Sequence, residues 1–582
     1  MLLDIDYITQ NRIPVVRLFG KLPEGGSLIA MDKNFSPYFY VQPHDFRECV
    51  NELNQIGLSE IEITRKIDNG EFKDFLKVIL EHPREMLKLK KEVEKLKSVE
   101  SVKEYDIPFF RRYLIDKGLF PMGEVEVQGK ILHHSKTNKP CIIELQKEPQ
   151  HVKSGLPELN ILSFKIEACN PQGIPRESED PLIIISFSSN QGLRKVFSTK
   201  KSSLDFVETV PNEKELILKF IGMVKSENPD IIIGYNSDKF DFPYLSERAR
   251  KWGITLKLGV DGSKLKFITV PKKAASIKGR IHIDLYRVVR RYLQLNSHTL
   301  QNIYRELLGS DKIDIPLDQI YACWSGGELD RLFKYSLEDA VAVTAIGEKM
   351  LPLSIEIARM VGQPLFEIVR RGTGTQVEWY LIRKAFEYGY MVPNKFGTYL
   401  RDVVGGHVEE PIHGLYENIF YFDFRSLYPS IIIAKNISPD TFTEDGDEEE
   451  CHVSPEFGYK FKKEPVGFIP LVTAQILESR IRTKSRMKEA ADPEELQILD
   501  FRQNALKTLI STIYGLYNHS TYRWYSIEAS EAITAWGREF LKKAMEDARK
   551  EGFKVLYADT DGFYAIVEEK VDDEKFDGDR KS

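Results

Sequence analysis

The chain has 582 residues, with 82 basic and 88 acidic side chains and a formal net charge of −6. This length exceeds what one hydrophobic core supports and predicts several domains. No apolar run is long enough to span a membrane, and the 5 cysteines lack CxxC spacing, so a membrane protein, a zinc ribbon and a disulfide scaffold are excluded. The acidic start of the chain excludes a secretory signal and predicts a cytoplasmic protein.

The first half of the chain predicts two kinds of module. Residues 1–130 alternate short β-rich runs with a charged helical stretch near 83–98, which is typical of a small α+β module. From Ile142 onward, apolar strands alternate with helices, a pattern that predicts a sheet covered by helices. A mostly helical stretch follows over residues 325–390.

The second half predicts a strand, three long helices and a hairpin. The strand covers residues 419–424, and the helices cover residues 470–490, 494–513 and 528–551. Pro493 fits the first turn of a helix, where its missing N–H is not needed. The tetrapeptide Asp559-Thr560-Asp561-Gly562 stands between two apolar runs and predicts a hairpin turn.

Two acidic sites stand at the ends of predicted strands. Asp559 and Asp561 lie at the hairpin tip, and Asp423 lies where the strand 419–424 ends. One such turn alone is more typical of a structural turn than of a metal site. Two strand-end sites that converge would repel each other unless a cation neutralised them, and magnesium prefers oxygen ligands. Such a pair of metal ions stabilises the attacking and leaving oxygens of phosphoryl transfer.

Basic residues at helical spacing complete the pattern. Arg480 and Lys484 share one face of the first long helix, and Lys507 lies on the second between Gln503 and Ser511. Each helix alone is better explained as an amphipathic helix than as part of a phosphate site. Together with the aspartates, the three cations predict a clamp for a triphosphate.

Three segments resemble motifs A, B and C of family B DNA polymerases: Asp423–Ser430, Arg502–Gly515 and Tyr557–Asp561. The segments at Leu3–Tyr7 and Tyr105–Phe109 resemble the archaeal branch of that family. The resemblance implies a multidomain α/β and α+β right-hand architecture. Its expected parts are an N-terminal domain (1–132), an RNase H-like 3′→5′ exonuclease-like domain (133–345), a helical return to the N-terminal domain (346–394), two palm segments (395–472 and 520–582) and fingers (473–519).

The resemblance also implies roles for the site residues. Two Mg²⁺ ions would be held by Asp423, Phe424 and Asp561, with Asp559 assisting catalysis. The incoming deoxynucleotide would contact Arg480, Lys484, Lys507, Leu427, Tyr428 and Tyr514. Lys507 would protonate the pyrophosphate leaving group, and the Tyr428 ring would exclude a 2′-hydroxyl. In motif B the family usually has asparagine where this chain has Ser511, so rate or fidelity is expected to differ.

The module at 133–345 resembles the proofreading domain of the family, with one departure. Family members carry an aspartate where this chain has Lys165, while Glu167, Asp241, Tyr335 and Asp339 remain. Replacing the carboxylate by an ammonium group removes a metal ligand, and the ammonium group can take the cation's place beside the surviving acids. We therefore expect impaired proofreading in a domain that keeps its fold.

An aromatic and proline-rich set in the N-terminal region resembles the archaeal pocket that captures template uracil, although such a set is also typical of a hydrophobic core. Its members are Tyr7, Pro37, Tyr38, Val93, Ile107, Pro108 and Phe109.

The sequence ends soon after motif C, without the family's thumb. The resemblance is therefore to the large polypeptide of the split methanogen-type enzyme. The expected partners are primer–template DNA, deoxynucleotides, a small subunit that supplies the thumb near residues 555–582, and a sliding clamp through that subunit. An exposed edge of the palm hairpin is expected to receive the small subunit. The alternatives are a non-catalytic homologue that binds primer–template or template uracil, and a nuclease, which Lys165 disfavours.

Overall fold

The structure is a computed structural model that describes residues 1–133, 139–152, 158–171, 173–316, 319–395, 397 and 403–567. The end of the predicted second palm segment, with its charged tail, lies outside these residues. The chain forms two compact units. The first unit comprises residues 1–37, 80–86 and 107–372, and the second comprises residues 38–79, 87–106 and 373–582. The six predicted domain boundaries stay a prediction.

The first unit contains two main sheets. The five-stranded sheet has the order Leu2–Gln10, Ile13–Lys21, Ser27–Asp32, Cys141–Leu145 and Gly129–His133. The six-stranded sheet has the order Val207–Thr209, Arg194–Ser198, Leu182–Ser189, Ile161–Ala168, Ile231–Gly234 and Ile281–Asp284. Two-stranded ribbons pair Glu124–Glu126 with Gln150–Val152, and Lys266–Val270 with Lys272–Ser276.

Helices cover the six-stranded sheet, as the alternating sequence pattern predicts. Phe164, Phe187 and Phe220 are fully buried in one core cluster, where the Phe164 and Phe220 rings lie 5.1 Å apart. The helices of the first unit are Phe109–Asp116, Glu213–Glu227, Asp241–Lys251, Leu285–Tyr292, Leu300–Leu308, Ile320–Gly326, Leu329–Val361 and Leu365–Ile368, with a 3₁₀ turn at Pro83–Glu85.

The second unit contains three sheets. The first has the order Ile61–Asp68, Glu71–Ile79, Tyr38–Pro43 and Val99–Lys103. The second has the order Val408–Glu409, Phe553–Asp559, Gly562–Val567 and Phe420–Asp423. The third has the order Phe442–Thr443, Lys460–Lys462 and Cys451–Val453. The helices are Phe46–Gln55, Met86–Val93 apart from its first residue, Thr373–Glu387, Leu427–Ala434, Phe468–Glu489, Pro493–Asn518 and Ile527–Lys550.

Two of the three long helices of the second unit begin at residues whose side chains cap them, whereas Phe468–Glu489 follows Gly467 and has no side-chain cap. The Asp492 side chain accepts a hydrogen bond from the Glu494 amide, and Pro493 occupies the first helical turn. The Ser526 side chain caps the last helix by accepting from the Ala529 amide. The predicted helices at 470–490, 494–513 and 528–551 are present, and the second begins one residue earlier and ends five residues later than expected.

Within the described part of the chain, no helix has the length and apolar character needed to cross a membrane. All 5 cysteines are free thiols, as their spacing predicts.

Candidate active site

The acidic sites converge at one end of the palm-like sheet, which is the sheet of Val408–Glu409, Phe553–Asp559, Gly562–Val567 and Phe420–Asp423. Gly562 pairs with Asp559 on one side and with Asp423 on the other. The hairpin turn lies at Thr560, whose φ is 56°, and at Asp561. The Phe424 amide donates a 2.7 Å hydrogen bond to the carbonyl of Asp561. This pairing brings together the two strand ends that the sequence singled out.

The carboxylates of this cluster repel one another. Burial and the nearby charges of Asp423 and Asp559 raise the pKa of Asp561. Among the described residues, no ready-made group of three or more metal-ligating side chains is found. The protein therefore offers two principal carboxylates, Asp423 and Asp561, and this donor chemistry fits a hard divalent cation that completes its shell with other oxygens.

The three predicted phosphate-binding cations lie around the same cavity as these acids. The cavity has a volume of about 420 Å³ and is lined by Asp423, Asp561, Arg480, Lys484 and Lys507, among others. The neighbouring Arg480 charge, followed by burial and the charges of Arg425 and Lys507, lowers the pKa of Lys484. The positive charges of these side chains therefore repel one another, as expected of a site that binds a polyanion. Asp559 is the predicted catalytic residue that does not line this cavity.

Arg425 is a fourth cation at this site that sequence reasoning missed. It lines the cavity, and its charge contributes to lowering the pKa values of Arg480 and Lys484. Arg425 lies in the turn that follows the strand Phe420–Asp423, and no local pattern indicated its place at the site.

Tyr428 forms part of the cavity wall. Its ring lies 4.8 Å from the ring of Tyr514, and burial raises the pKa of Tyr428 to about 12. Behind it stands Gly537, where an added Cβ would lie 3.0 Å from Tyr428 Cε1. The sequence offered no signal for this glycine, because it comes from a different helix.

Ser511 does not direct its hydroxyl into the cavity. Its Oγ donates a 2.8 Å hydrogen bond to the carbonyl of Lys507, one turn back on the same helix. Gln503, expected on the same face, donates to Asp500 Oδ1 at 3.1 Å. The motif B departure therefore leaves a shorter side chain that is already hydrogen-bonded to its own backbone.

An apolar groove of about 840 Å³ lies between the palm-like sheet and the helix Ile527–Lys550, and Asp423 and Phe424 line both this groove and the first cavity. Its walls include Phe422, Phe424, Phe553 and Phe563 from the sheet and Ala548 from the helix Ile527–Lys550. Sequence reasoning did not predict this groove, because its walls come from four separate segments.

In the first unit, the exonuclease-like residues also converge. Lys165 Nζ lies 3.6 Å from Asp241 Oδ1. Burial opposes the Lys165 charge, but Asp241, Glu167 and Asp339 outweigh it and raise the pKa of Lys165. Burial raises the pKa of Glu167 to about 8, so this carboxyl group is largely protonated at neutral pH.

A second lysine, which the sequence did not reveal, neutralises the third acid. Lys312 Nζ lies 2.6 Å from Asp339 Oδ1, and both side chains are buried. Lys312 also lies 4.9 Å from the centre of the Tyr335 ring. Two ammonium groups therefore already lie beside Asp241 and Asp339, in positions where a divalent cation would need to approach these acids.

The predicted uracil-binding residues are divided between the two units. In the first unit, the rings of Tyr7 and Phe109 lie 5.2 Å apart, and Pro37, Ile107 and Pro108 belong to the same unit. Tyr38 and Val93 are buried in the second unit. The uracil pocket stays a prediction.

The comparisons with known proteins identify the family. The profile of the exonuclease domain of DNA polymerase family B matches residues 100–303, and that of DNA polymerase family B matches residues 363–575. The chain is 38% identical over 584 residues to a DNA polymerase of Thermococcus gorgonarius, with 97% of this chain and 71% of the relative covered. It is 39% identical over 587 residues to a DNA polymerase of Pyrococcus glycovorans, again with 97% and 71% covered.

A solved structure has the same fold. The family B DNA polymerase from the hyperthermophilic archaeon Pyrobaculum calidifontis superposes with a TM-score of 0.85 at 30% identity, covering 99% of this chain and 75% of that chain. The multidomain fold expected from motifs A, B and C is thereby confirmed. The chain belongs to family B of the DNA polymerases, in its archaeal branch, and is a DNA-directed nucleotidyltransferase.

Proposed function

We propose that the chain extends a DNA primer by two-metal nucleotidyl transfer at the cavity between Asp423, Asp561 and the three cations. The observation that carries this proposal is the shared cavity, in which carboxylates and basic side chains line one space of about 420 Å³. A deoxynucleoside triphosphate together with divalent metal ions matches that charge pattern. The metal ions would bind the aspartates, and the phosphates would bind the arginine and lysine side chains.

Each residue has a separate part in this proposal. Asp423 and Asp561, with the main chain of Phe424, would hold two Mg²⁺ ions, which supply charge stabilisation for the entering and leaving oxygens. Arg480, Lys484 and Lys507 orient the triphosphate. Tyr428 and Leu427 lie beneath the sugar, with Tyr514 supporting the Tyr428 ring. Asp559 assists from the hairpin tip.

The test is primer extension with the variants Asp423→Ala and Asp561→Ala. We expect each variant to lose nucleotide addition by at least about 10³-fold while primer–template binding changes little, because the acids act on the metal ions. Asp445→Ala, which removes an exposed acid elsewhere in the same unit, is the matched control. Extension by either site variant at the rate of the control would refute the assignment.

The same measurement separates the polymerase from the non-catalytic alternative. A scaffold that only binds primer–template would show no extension with any metal, including by the unaltered chain. The convergence of Asp423, Asp561 and Lys507 on one cavity supports the catalytic function.

We propose that proofreading is impaired, because Lys165 and Lys312 supply the positive charge that metal ions would bring to Asp241 and Asp339. The first unit would then keep its exonuclease-like fold with a neutralised acidic centre.

We also propose that a small, thumb-bearing polypeptide binds the second unit. The apolar groove supports this proposal, as does the outer side of Phe420–Asp423, which has no strand partner among the described residues. The expected sliding clamp and the cytoplasmic location stay predictions.

A further inference from the structure

Three tyrosines form a row on the exposed face of the palm-like sheet. Tyr564 lies directly opposite Tyr421 on one neighbouring strand and opposite Tyr557 on the other. The ring centres of Tyr421 and Tyr564 are 4.6 Å apart, and those of Tyr557 and Tyr564 are 6.1 Å apart. Tyr421 is 55% exposed and Tyr564 is 40% exposed. Large aromatic side chains in such positions contribute little to the core, so their place beside the acids calls for another explanation.

The outer tyrosines of this row each contact an acid two residues further along their own strand. The Tyr421 hydroxyl donates a 3.0 Å hydrogen bond to Asp423 Oδ1. The Tyr557 hydroxyl donates a longer, 3.4 Å hydrogen bond to Asp559 Oδ2. Residues i and i+2 of a strand point to the same face, so the pairing of ring and acid follows from the strand geometry.

The central glycine makes room for the Tyr421 ring. A Cβ on Gly562 would lie 2.8 Å from the Tyr421 hydroxyl oxygen and 3.0 Å from its Cε2. The ring therefore lies over Gly562 on one side and against Tyr564 on the other. Packing on two sides holds the hydroxyl at Asp423, which an exposed, freely rotating side chain would not do.

We propose that Tyr421 is a positioning residue for Asp423, with Tyr564 and Gly562 holding its ring in place. The hydroxyl fixes one carboxylate oxygen and thereby sets the direction in which the other oxygen meets a divalent cation. Outer hydrogen bonds of this kind orient metal ligands, and their loss typically costs about 10–100-fold in metal affinity. This inference rests on the proposed function, since it assumes that Asp423 is a metal ligand.

The test compares Tyr421→Phe with Tyr564→Phe in the full chain. Both variants keep the ring and lose a hydroxyl, but no hydrogen bond joins Tyr564 to an acid among the described residues. Free Mn²⁺ is measured by electron paramagnetic resonance during titration, without DNA or nucleotide. We expect Tyr421→Phe to weaken Mn²⁺ binding by about tenfold and Tyr564→Phe to leave it within about twofold of the unaltered chain.

A kinetic measurement completes the test. In Tyr421→Phe we expect a lower kcat that rises with metal concentration, while KM for the deoxynucleotide is unchanged. Equal Mn²⁺ affinity in Tyr421→Phe and Tyr564→Phe would overturn the inference. Asp423→Asn distinguishes a failure of the proposed function from a failure of the inference about Tyr421. Unchanged Mn²⁺ affinity in Asp423→Asn would refute the proposed function itself. A loss of Mn²⁺ affinity in Asp423→Asn with no effect in Tyr421→Phe would refute the inference alone.

Discussion

Lys507 lines the same cavity as Arg480 and Asp561, close to where the leaving pyrophosphate would gain charge. We expect Lys507→Ala to lower kcat by about 10²-fold with a smaller change in KM, because a cation that meets developing charge acts mainly in the transition state. Lys488→Ala is the matched control, since Lys488 is exposed on the same helix as Arg480 and lies outside the cavity lining. The measurement is single-nucleotide incorporation over a range of substrate concentrations, and a rise in KM alone would contradict the role.

Lys165 is the residue on which the proofreading prediction depends. We expect the unaltered chain to remove a mispaired 3′ end negligibly, and Lys165→Asp to restore removal, because the substitution replaces an ammonium group by a metal ligand beside Asp241 and Glu167. Degradation of a mispaired, labelled primer with magnesium measures the effect. Lys195→Asp, two strands away in the same sheet, serves as the control. Brisk degradation by the unaltered chain would show that the role given to Lys165 is wrong.

Some residues of the two sites could be predicted from the sequence, and others could not. The acids, Lys507 and Lys165 stand in local patterns that can be recognised without a structure. Lys312 lies 27 residues before its partner Asp339 and outside any helix or strand, so no local pattern signals the pair.

At the scale of elements, the helix Ile527–Lys550 contributes Gly537, which lies next to the Tyr428 ring of the proposed nucleotide site. We expect Gly537→Ala to displace the Tyr428 ring, because the new Cβ would lie 3.0 Å from Tyr428 Cε1. A displaced ring would raise KM for deoxynucleotides by roughly tenfold and reduce discrimination against ribonucleotides.

Competition between a deoxynucleotide and its ribonucleotide measures the effect of Gly537→Ala. Gly222→Ala is the matched control, because Gly222 is also helical and its added Cβ would meet no atom within 4 Å. Unchanged discrimination in Gly537→Ala would show that the Tyr428 ring does not need its present position.

Local sequence chemistry predicted the long helices and the hairpin well. Asp492-Pro493 marks one helix start, and Asp559-Thr560-Asp561-Gly562 marks the turn. The expected free edge of the hairpin was wrong, because Gly562–Val567 pairs on both sides and the outer strand is Phe420–Asp423. Strand order depends on contacts between segments that are far apart in sequence, which local patterns do not encode.

At the scale of the whole molecule, the apolar groove is the surface that we propose for the small, thumb-bearing polypeptide. The match spans 97% of this chain but 71% of the T. gorgonarius relative, so part of that relative lies outside the match. The groove is lined by Phe553 and Phe563, which are buried, by the half-buried Phe422, and by charged residues of the helix Ile527–Lys550 and the residue after it. An apolar surface of this kind marks an interaction site.

We expect a thumb-bearing polypeptide bound at this groove to raise primer–template affinity at least tenfold, about 1.4 kcal/mol. Duplex affinity is built from many phosphate contacts, so an added DNA-gripping surface strengthens DNA binding far more than nucleotide binding. The probe is a separate polypeptide of thumb-like sequence, titrated with labelled primer–template and this chain. Ala548→Glu, which places a charge in the groove, should abolish the gain, while Ala491→Glu on an exposed loop should retain it. Equal DNA affinity with and without the added polypeptide, or an equal gain in both variants, would show that the groove does not receive this partner.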